Sequence, residues 1–131
     1  MSDLVKTGLQ EILKLIADQG VPYEAINGYL GVGNDNTPTD FAMTDLQGTK
    51  ARTLVDGNPS LDLDLLTTQW VATFPVEVGN FEWLEVGIFN HPSAGSMLTR
   101  TVPPVSLGVK DNTVRVLRYT VTWEECDVEE S

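Results

Sequence analysis

The 131-residue sequence has one cysteine, one histidine and no apolar run long enough to span a membrane. A disulfide needs two thiols, so none can form within the chain. Cys126 stands among acidic residues that disfavour a thiolate, and we interpret it as unreactive. A transmembrane helix needs about 18 consecutive apolar residues, so we expect none. The N-terminus is a poor signal peptide, which predicts a protein that starts its life in a cytoplasm.

Basic residues are scarce, because 8 lysines and arginines stand against 19 acidic residues and leave a net charge of −11. Binding to a phosphate backbone needs clustered basic side chains, and only Arg115 and Arg118 lie close together. We therefore expect no nucleic acid and no anionic membrane as a partner. Five acidic residues within 124–131 predict a solvated acidic tail.

No reactive side chains stand in an arrangement that an enzyme would need. His91 is the only histidine, so metal sites built from several imidazoles are excluded, and no nucleophile–histidine pair stands out. Gly28, Gly31 and Gly33 lack the Lys-Ser or Lys-Thr of a phosphate loop, and a strand with a turn explains them better. The sequence predicts a non-enzymatic protein with no cofactor and no metal.

Two acidic sets have functional spacing, but a structural interpretation fits each of them better. Glu82 and Glu85 flank Trp83, yet positions three apart on a strand face opposite sides and do not share a glycosidase site. We expect one of these acids to face solvent and the other to lie at a rim. Four oxygen-bearing residues have the alternating spacing of a calcium loop: Asp56, Asn58, Ser60 and Asp62. Thr67 replaces the Glu expected at the twelfth position, which favours a polar turn.

An amphipathic helix is predicted over residues 3–18. Apolar residues recur there at helical spacing, at Leu9, Ile12, Leu13 and Ile16. Ser2 or Asp3 can cap its start, Gly20 can adopt the left-handed conformation after its end, and Pro22 blocks continuation. The helix either covers the core of its own domain or packs on a neighbouring subunit.

Residues 25–123 alternate apolar and polar positions between turn formers, which predicts six or seven strands. The predicted strands are 25–32, 51–55, 61–78, 81–90, 97–102 and 113–123. We expect 61–78 to form a hairpin with 81–90 through Gly79-Asn80, and 81–90 to form another with 97–102. The pattern predicts a single domain, residues 1–131, of mainly β class: an antiparallel β-sandwich or flattened barrel preceded by one N-terminal helix.

The most apolar stretch is residues 81–90, FEWLEVGIFN. Extended backbone places Leu84, Val86 and Ile88 on one face, and the other face is also largely apolar, so this strand is expected to be covered on two sides. Gly87 among large neighbours predicts the close approach of another backbone or ring. Only one short helix is available as a cover, so either that helix or a neighbouring protomer is expected on the second face.

Four segments resemble the small structural proteins of tailed-phage virions. They are Asn27-Gly28-Tyr29-Leu30-Gly31-Val32-Gly33, Thr44-Asp45-Leu46-Gln47-Gly48, Phe81 to Asn90, and Gly95-Ser96-Met97-Leu98-Thr99-Arg100. The resembled family comprises β-rich, non-enzymatic chains that serve as capsid decoration (cement) proteins or as tail-fibre and appendage components. The resemblance covers most of the chain, from Ala25 to Trp123, and contains no reactive signature.

The resemblance implies a place in the virion, reached after assembly in the host cytoplasm. We expect a capsid decoration protein that stabilises the head as a homo-oligomer, with a trimer at local threefold positions, in contact with the major capsid protein or other virion proteins. A tail-fibre or baseplate component is the alternative within this class. A carbohydrate-binding module is the alternative from another class, although five aromatic residues that could stack on sugars are better explained as core: Tyr29, Trp70, Trp83, Tyr119 and Trp123.

Surplus apolar side chains on the predicted helix and on 81–90 are the candidate assembly interface. These residues are Leu9, Ile12, Leu13, Ile16, Phe81, Trp83 and Phe89. The substitution Trp83→Ala is expected to reduce oligomerisation or particle binding along with stability.

Overall fold

The computed structural model describes residues 3–123, which form one α-helix and eight β-strands. In chain order the elements are β1 (Asp3–Leu4), α1 (Lys6–Ile16), β2 (Tyr29–Gly33), β3 (Lys50–Leu54), β4 (Ser60–Asp62), β5 (Thr67–Phe74), β6 (Glu85–Phe89), β7 (Met97–Thr101) and β8 (Arg115–Thr122). The strands form two antiparallel sheets. This architecture confirms the prediction of a mainly β sandwich with an N-terminal helix.

Each sheet has a simple strand order. Sheet A contains five strands in the order β1-β7-β6-β2-β3, and sheet B contains three in the order β4-β5-β8. In the middle of sheet A, Gly31 of β2 lies opposite Gly87 of β6. An isolated bridge between Val55 and Ala72 ties the end of β3 to β5, which brings the two sheets together along one side.

The main core lies between the sheets. β5 and β8 turn alternate residues inward, as their sequence alternation predicts. The inward residues are Trp70, Ala72, Phe74, Leu117, Tyr119 and Val121, and they pack with Leu30, Val32, Val86 and Ile88 from sheet A. Complete burial of a large apolar side chain stabilises a fold by about 1.5–3 kcal/mol, so this layer is the main source of stability.

A smaller apolar cluster lies on the outer face of sheet A and contains Val5, Leu46, Phe89 and Met97. Leu46 belongs to residues 34–49, the connection between β2 and β3, which crosses this face. All five residues of β6 are buried, which confirms the prediction of a strand covered on both sides. The expected cover was the helix or a neighbouring protomer, whereas the structure supplies a connecting segment of the same chain.

Gly87 confirms the predicted close approach on this face. A Cβ atom at Gly87 would lie 3.1 Å from both the Leu46 side chain and the Phe89 ring, and 3.2 Å from the Thr99 carbonyl oxygen. These separations are shorter than ordinary van der Waals contact, so the absence of a side chain lets segment and sheet meet.

The N-terminal helix exists but is shorter than the predicted 3–18. Asp3 and Leu4 pair with β7 as strand β1, so the helix begins at Lys6. Its N-cap is Val5, which has no capping side chain, so the predicted cap at Ser2 or Asp3 is wrong. At the other end Asp18, with φ of 57°, adopts the left-handed conformation predicted for Gly20.

Helix α1 packs on β7 of its own chain, as the first of the two alternatives requires. Gly8 permits the contact, because a Cβ atom there would lie 2.2 Å from the Leu98 carbonyl oxygen. Ile12 and Leu15 pack against the main core, and Glu11 is buried beneath the helix. The Glu11 carboxylate accepts hydrogen bonds from the Val21 N–H at 2.8 Å and the Ser96 hydroxyl at 3.0 Å.

The predicted strand 61–78 is two strands, and its predicted hairpin with 81–90 is wrong. The Asp62 carboxylate accepts the N–H groups of Asp64 and Leu65, and Leu66 has φ of 56°, so a turn separates β4 from β5. After Pro75 the chain crosses from sheet B to sheet A, where β6 pairs with β2 and β7. The hairpin predicted between 81–90 and 97–102 is confirmed by the β6–β7 pair. Cys126 and the acidic tail 124–131 lie outside the described residues.

Candidate functional site

The most unusual polar group in the fold is the Glu85 carboxylate, whose residue is 0% exposed. One oxygen accepts hydrogen bonds from the Gln47 N–H and from Arg100 Nε, each at 2.8 Å. The other accepts the Gly48 N–H at 2.8 Å and the Asp35 N–H at 3.3 Å. Four donors therefore surround one carboxylate, which satisfies the charge that burial would otherwise make very costly.

Arg100 is also 0% exposed and completes the network. Its Nη1 donates to the Thr37 carbonyl at 2.7 Å and to the Thr39 hydroxyl at 3.0 Å. Its Nη2 donates to the Asp35 carbonyl at 3.3 Å. The Glu85–Arg100 pair thus holds residues 34–48 on the outer face of sheet A. Glu85 accepts from backbone N–H groups of this segment, and Arg100 donates to its backbone carbonyls.

Glycines on β2 make room for this network. A Cβ atom at Gly33 would lie 2.3 Å from the Glu85 carboxylate, and one at Gly31 would lie 2.7 Å from the Phe89 ring. The Arg52 guanidinium stacks over that ring, 3.5 Å from its centroid. The outer face of sheet A therefore combines buried charge, close backbone approach and one cation–π contact.

Two pKa shifts mark the rim of the network. Hydrogen bonds from the Thr37 side chain and backbone, with the nearby Arg100 charge, lower the pKa of Asp35. Burial lowers the pKa of Arg52, and the Asp45 carboxylate at 3.4 Å opposes that shift. Both shifts have local structural causes, namely hydrogen bonds at Asp35 and burial at Arg52.

The network is better suited to structure than to chemistry. Glu85 was expected at a rim or facing solvent. The structure corrects that expectation, because both Glu85 and its partner Arg100 are buried. Glu82 is exposed and accepts a hydrogen bond from the Ser106 hydroxyl at 2.7 Å, so the two acids do not meet in one site. A general acid or base must reach a substrate proton, and the oxygens of Glu85 are enclosed and already occupied.

The other acidic and histidine candidates make local contacts. Asp56 accepts from the Thr73 hydroxyl, and Asn58 accepts from the Ala25 N–H. Asp62 accepts N–H groups in the β4–β5 turn, so the oxygens of these three residues bind separate partners and do not converge on one ion. His91 Nδ1 accepts the N–H groups of Ser93 and Ala94. Within residues 3–123, no three His, Cys, Asp or Glu side chains group in a way that could hold a metal ion.

The aromatic candidates for sugar stacking are mostly inside the fold. Trp70, Trp83 and Tyr119 are buried, and Tyr29 and Trp123 are half-buried. Trp70 Nε1 donates to the Tyr23 carbonyl, and the Tyr119 hydroxyl reaches Thr99 of sheet A at 3.0 Å and also contacts the Thr101 hydroxyl. The prediction that these rings are mainly core holds for the three buried ones.

The predicted assembly residues separate into two groups. Trp83 and Phe89 are 1% and 0% exposed, so they belong to the core and offer no surface to another molecule. Phe81 and Ile12 are half-buried. The remaining three side chains lie on one face of α1, and their exposed fractions are 39% for Leu9, 60% for Leu13 and 78% for Ile16. We call these three residues the helix stripe.

Sequence reasoning missed two further features besides the Glu85–Arg100 network. Exposed leucines surround the β4–β5 turn, at Leu61, Leu63, Leu65 and Leu66. The prediction placed all four in one continuous strand, 61–78, whereas the structure has a turn between β4 and β5. A shallow pocket lined by Trp83, Leu107, Arg115, Val116 and Leu117 was also missed, and Arg115 lies 4.7 Å from the Trp83 ring there.

Comparisons with known proteins found no match for this chain. No family model matches the chain, no curated protein matches it, and no solved structure matches its fold. Among the described residues, no helix is both long and apolar enough to cross a membrane.

Proposed function

We propose that this chain is a non-enzymatic structural protein of a phage virion. Within that class we propose a capsid decoration or cement protein that stabilises the head as a homo-oligomer, with a trimer as the expected state. The resemblance of the four sequence segments suggests the virion. The helix stripe is the observation that carries an assembly role.

The helix stripe supports a contact with another molecule because its three members form one continuous surface. Leu9, Leu13 and Ile16 are spaced by four and three residues, which places them on the same side of α1. They lie beside the helix face that packs on β7. The apolar side of α1 therefore extends beyond the part that the rest of the chain buries. A contiguous exposed apolar surface of this kind is typical of an interaction site.

The energetics favour a shared contact over an isolated one. Burial of each stripe residue would stabilise an assembly by up to about 1.5–3 kcal/mol, whereas association itself costs several kcal/mol. Three protomers that bury their stripes together, on a shell with regularly spaced binding positions, combine many such contacts. The acidic surface keeps the free protein in solution.

Copy number in purified particles tests the location. A decoration protein is present on the order of hundreds of copies per particle, because it follows the symmetry of the shell. Gel densitometry against the major capsid protein measures this ratio. A few copies per particle would support the tail-fibre or baseplate alternative, and absence from the particle would refute the virion proposal.

Introduction of charge into the helix stripe tests the assembly contact. The double substitution Leu13→Lys/Ile16→Lys should leave folding intact, because both side chains are exposed, and should lower oligomer mass and particle occupancy. Gln10→Lys, at an exposed position outside the stripe, is the matched control. Light scattering and particle binding measure the result, and unchanged values in the double variant would remove the stripe from the interface.

A further inference from the structure

The four sheet edges differ in length. Sheet A ends in β1, with two residues, and β3, with five; sheet B ends in β4, with three, and β8, with eight. β8 pairs with β5 along all eight residues without a register break, and within the described residues it pairs with no strand on its other side. A long unpaired edge presents a row of backbone donors and acceptors that can pair with another strand.

The hydrogen-bond direction identifies which residues form this row. The Trp123 N–H donates to the Leu66 carbonyl, so the odd-numbered residues at this end point toward β5. Backbone direction alternates along an antiparallel strand. The N–H and C=O groups of the even-numbered residues therefore point away from β5, and these residues are Val116, Arg118, Thr120 and Thr122.

The edge of β8 also lacks three of the common protections against pairing. Natural edges are often blocked by a proline, a bulge or an inward-pointing charge in the middle of the strand. β8 contains no proline and no bulge, and its central inward residues are Leu117, Tyr119 and Val121. Its one central charge, Arg118, faces outward, so that charge restricts which register can form and leaves the backbone row accessible.

We propose that two copies of this chain pair through antiparallel β8 strands into a twofold-symmetric dimer. The two B sheets then form one six-stranded sheet in the order β4-β5-β8-β8-β5-β4. In this dimer the unpaired backbone N–H and C=O groups of β8 in one copy bond to the same groups in the other copy. Such use of one surface by both copies is what an isologous contact requires. The contact is separate from the helix stripe and does not depend on the virion proposal.

The register follows from charge and overlap. A twofold axis perpendicular to the sheet places residues that face the same side opposite each other. A register centred on Arg118 would set two Arg118 side chains face to face, which like charge disfavours. A register centred on Thr120 pairs fewer residues of β8. Centring on Tyr119 places Arg118 opposite Thr120 of the second copy and Val116 opposite its Thr122, so that every outward residue is paired.

Substitutions at Thr120 test the register by sign. Thr120→Lys sets a lysine against Arg118 of the second copy twice per dimer and should weaken dimerisation about tenfold, whereas Thr120→Glu should strengthen it. The control is Gln69→Lys on the middle strand β5. It adds the same charge and removes the same Gln69–Thr120 side-chain hydrogen bond, without touching the edge. Sedimentation equilibrium of the full chain measures the dissociation constants.

Disulfide trapping tests the pairing directly. In a Cys126→Ser background, Arg118→Cys/Thr120→Cys places two cysteines opposite each other and should give a covalent dimer in a thiol redox buffer. Either single-cysteine variant should not, because the two copies of one such cysteine lie two residues out of register, beyond disulfide reach.

The outcomes separate this proposal from the previous one. Equal cross-linking of a single-cysteine variant would overturn the register centred on Tyr119. The β8 dimer would be overturned if the double variant gave no cross-link and if Thr120→Lys had the same molar mass in solution as the wild type. A trimer that persists in that case would leave the helix-stripe contact standing.

Discussion

The outer faces of the two sheets are opposites. On sheet A, residues 34–48 cover the face and are held there by Glu85 and Arg100, both fully buried. On sheet B the face is open and carries side chains such as Gln69, Val71 and Thr73. The contrast teaches that a small sandwich can cover one sheet face with a connecting segment instead of a helix. Here a buried ion pair holds that segment, together with apolar contacts such as those of Leu46.

The composition of the two faces explains why only one accepts a cover. Gly31, Gly33 and Gly87 remove the side chains on sheet A that would hold a backbone away. Thr, Gln and Val on sheet B instead fill their face and hydrate well, as is usual for an antiparallel sheet with one wet side. Substitutions on the two faces should therefore have very different effects.

The largest effect is expected from Glu85→Gln. The amide keeps the shape but leaves the buried Arg100 with only the partly exposed Asp35 carboxylate, 3.7 Å away, and turns an NH₂ group toward backbone donors. Loss of one partner of a buried ion pair costs about 3–5 kcal/mol of unfolding free energy. Urea unfolding measures the loss, with Glu82→Gln as the exposed control. A loss no larger than that of the control would mean that the pair does not hold the cover.

A moderate effect is expected from Gly33→Ala. The new Cβ would meet the Glu85 carboxylate at 2.3 Å, and that side chain cannot move aside because four hydrogen bonds hold it. Overpacking of this kind costs about 1–3 kcal/mol. Gly57→Ala is the matched control, since nothing lies within 4 Å of its Cβ position. Equal melting temperatures of the two variants would show that the sheet A face has spare room.

The smallest effect is expected from Val71→Thr on the open face of sheet B. The position is half-buried and threonine suits a strand, so stability should change by no more than about 0.5 kcal/mol. Val86→Thr makes the same change in the core and should cost about 1–3 kcal/mol, because it buries a hydroxyl group. Equivalent losses in thermal unfolding would contradict the distinction between the core that lies between the sheets and the open face of sheet B.

Much of the fold could be predicted because its strands alternate cleanly. The alternation on β5 and β8 identified the inward residues, and the apolar character of both faces of β6 identified two-sided burial. The partner of each strand was harder to predict, since Gly79-Asn80 is a local turn signal and does not reveal that the chain changes sheets there. The start of α1 was also misplaced, because pairing of residues 3 and 4 with β7 leaves no pattern in those two residues.

The buried network was missed for a related reason. From sequence alone a glutamate at position 85 is expected at the surface, because nothing nearby in the sequence identifies an ion-pair partner. That partner, Arg100, lies fifteen positions later on the neighbouring strand. Several residues of the segments that resemble virion proteins meet in this network, among them Gly33, Gln47 and Gly48. What those residues share in this chain is a structural role, and the two proposed contact surfaces, the helix stripe and the edge of β8, lie outside the network.

The late position of β6 and β7 in the sequence has a consequence for synthesis. β1 and α1 dock on β7, and residues 34–48 dock on Glu85 and Arg100. A nascent chain therefore carries β1, α1 and residues 34–48 without their binding partners until β6 and β7 have left the ribosome. Pairings between such distant positions form slowly and expose apolar surface in the meantime. These early segments are thus made first and packed last.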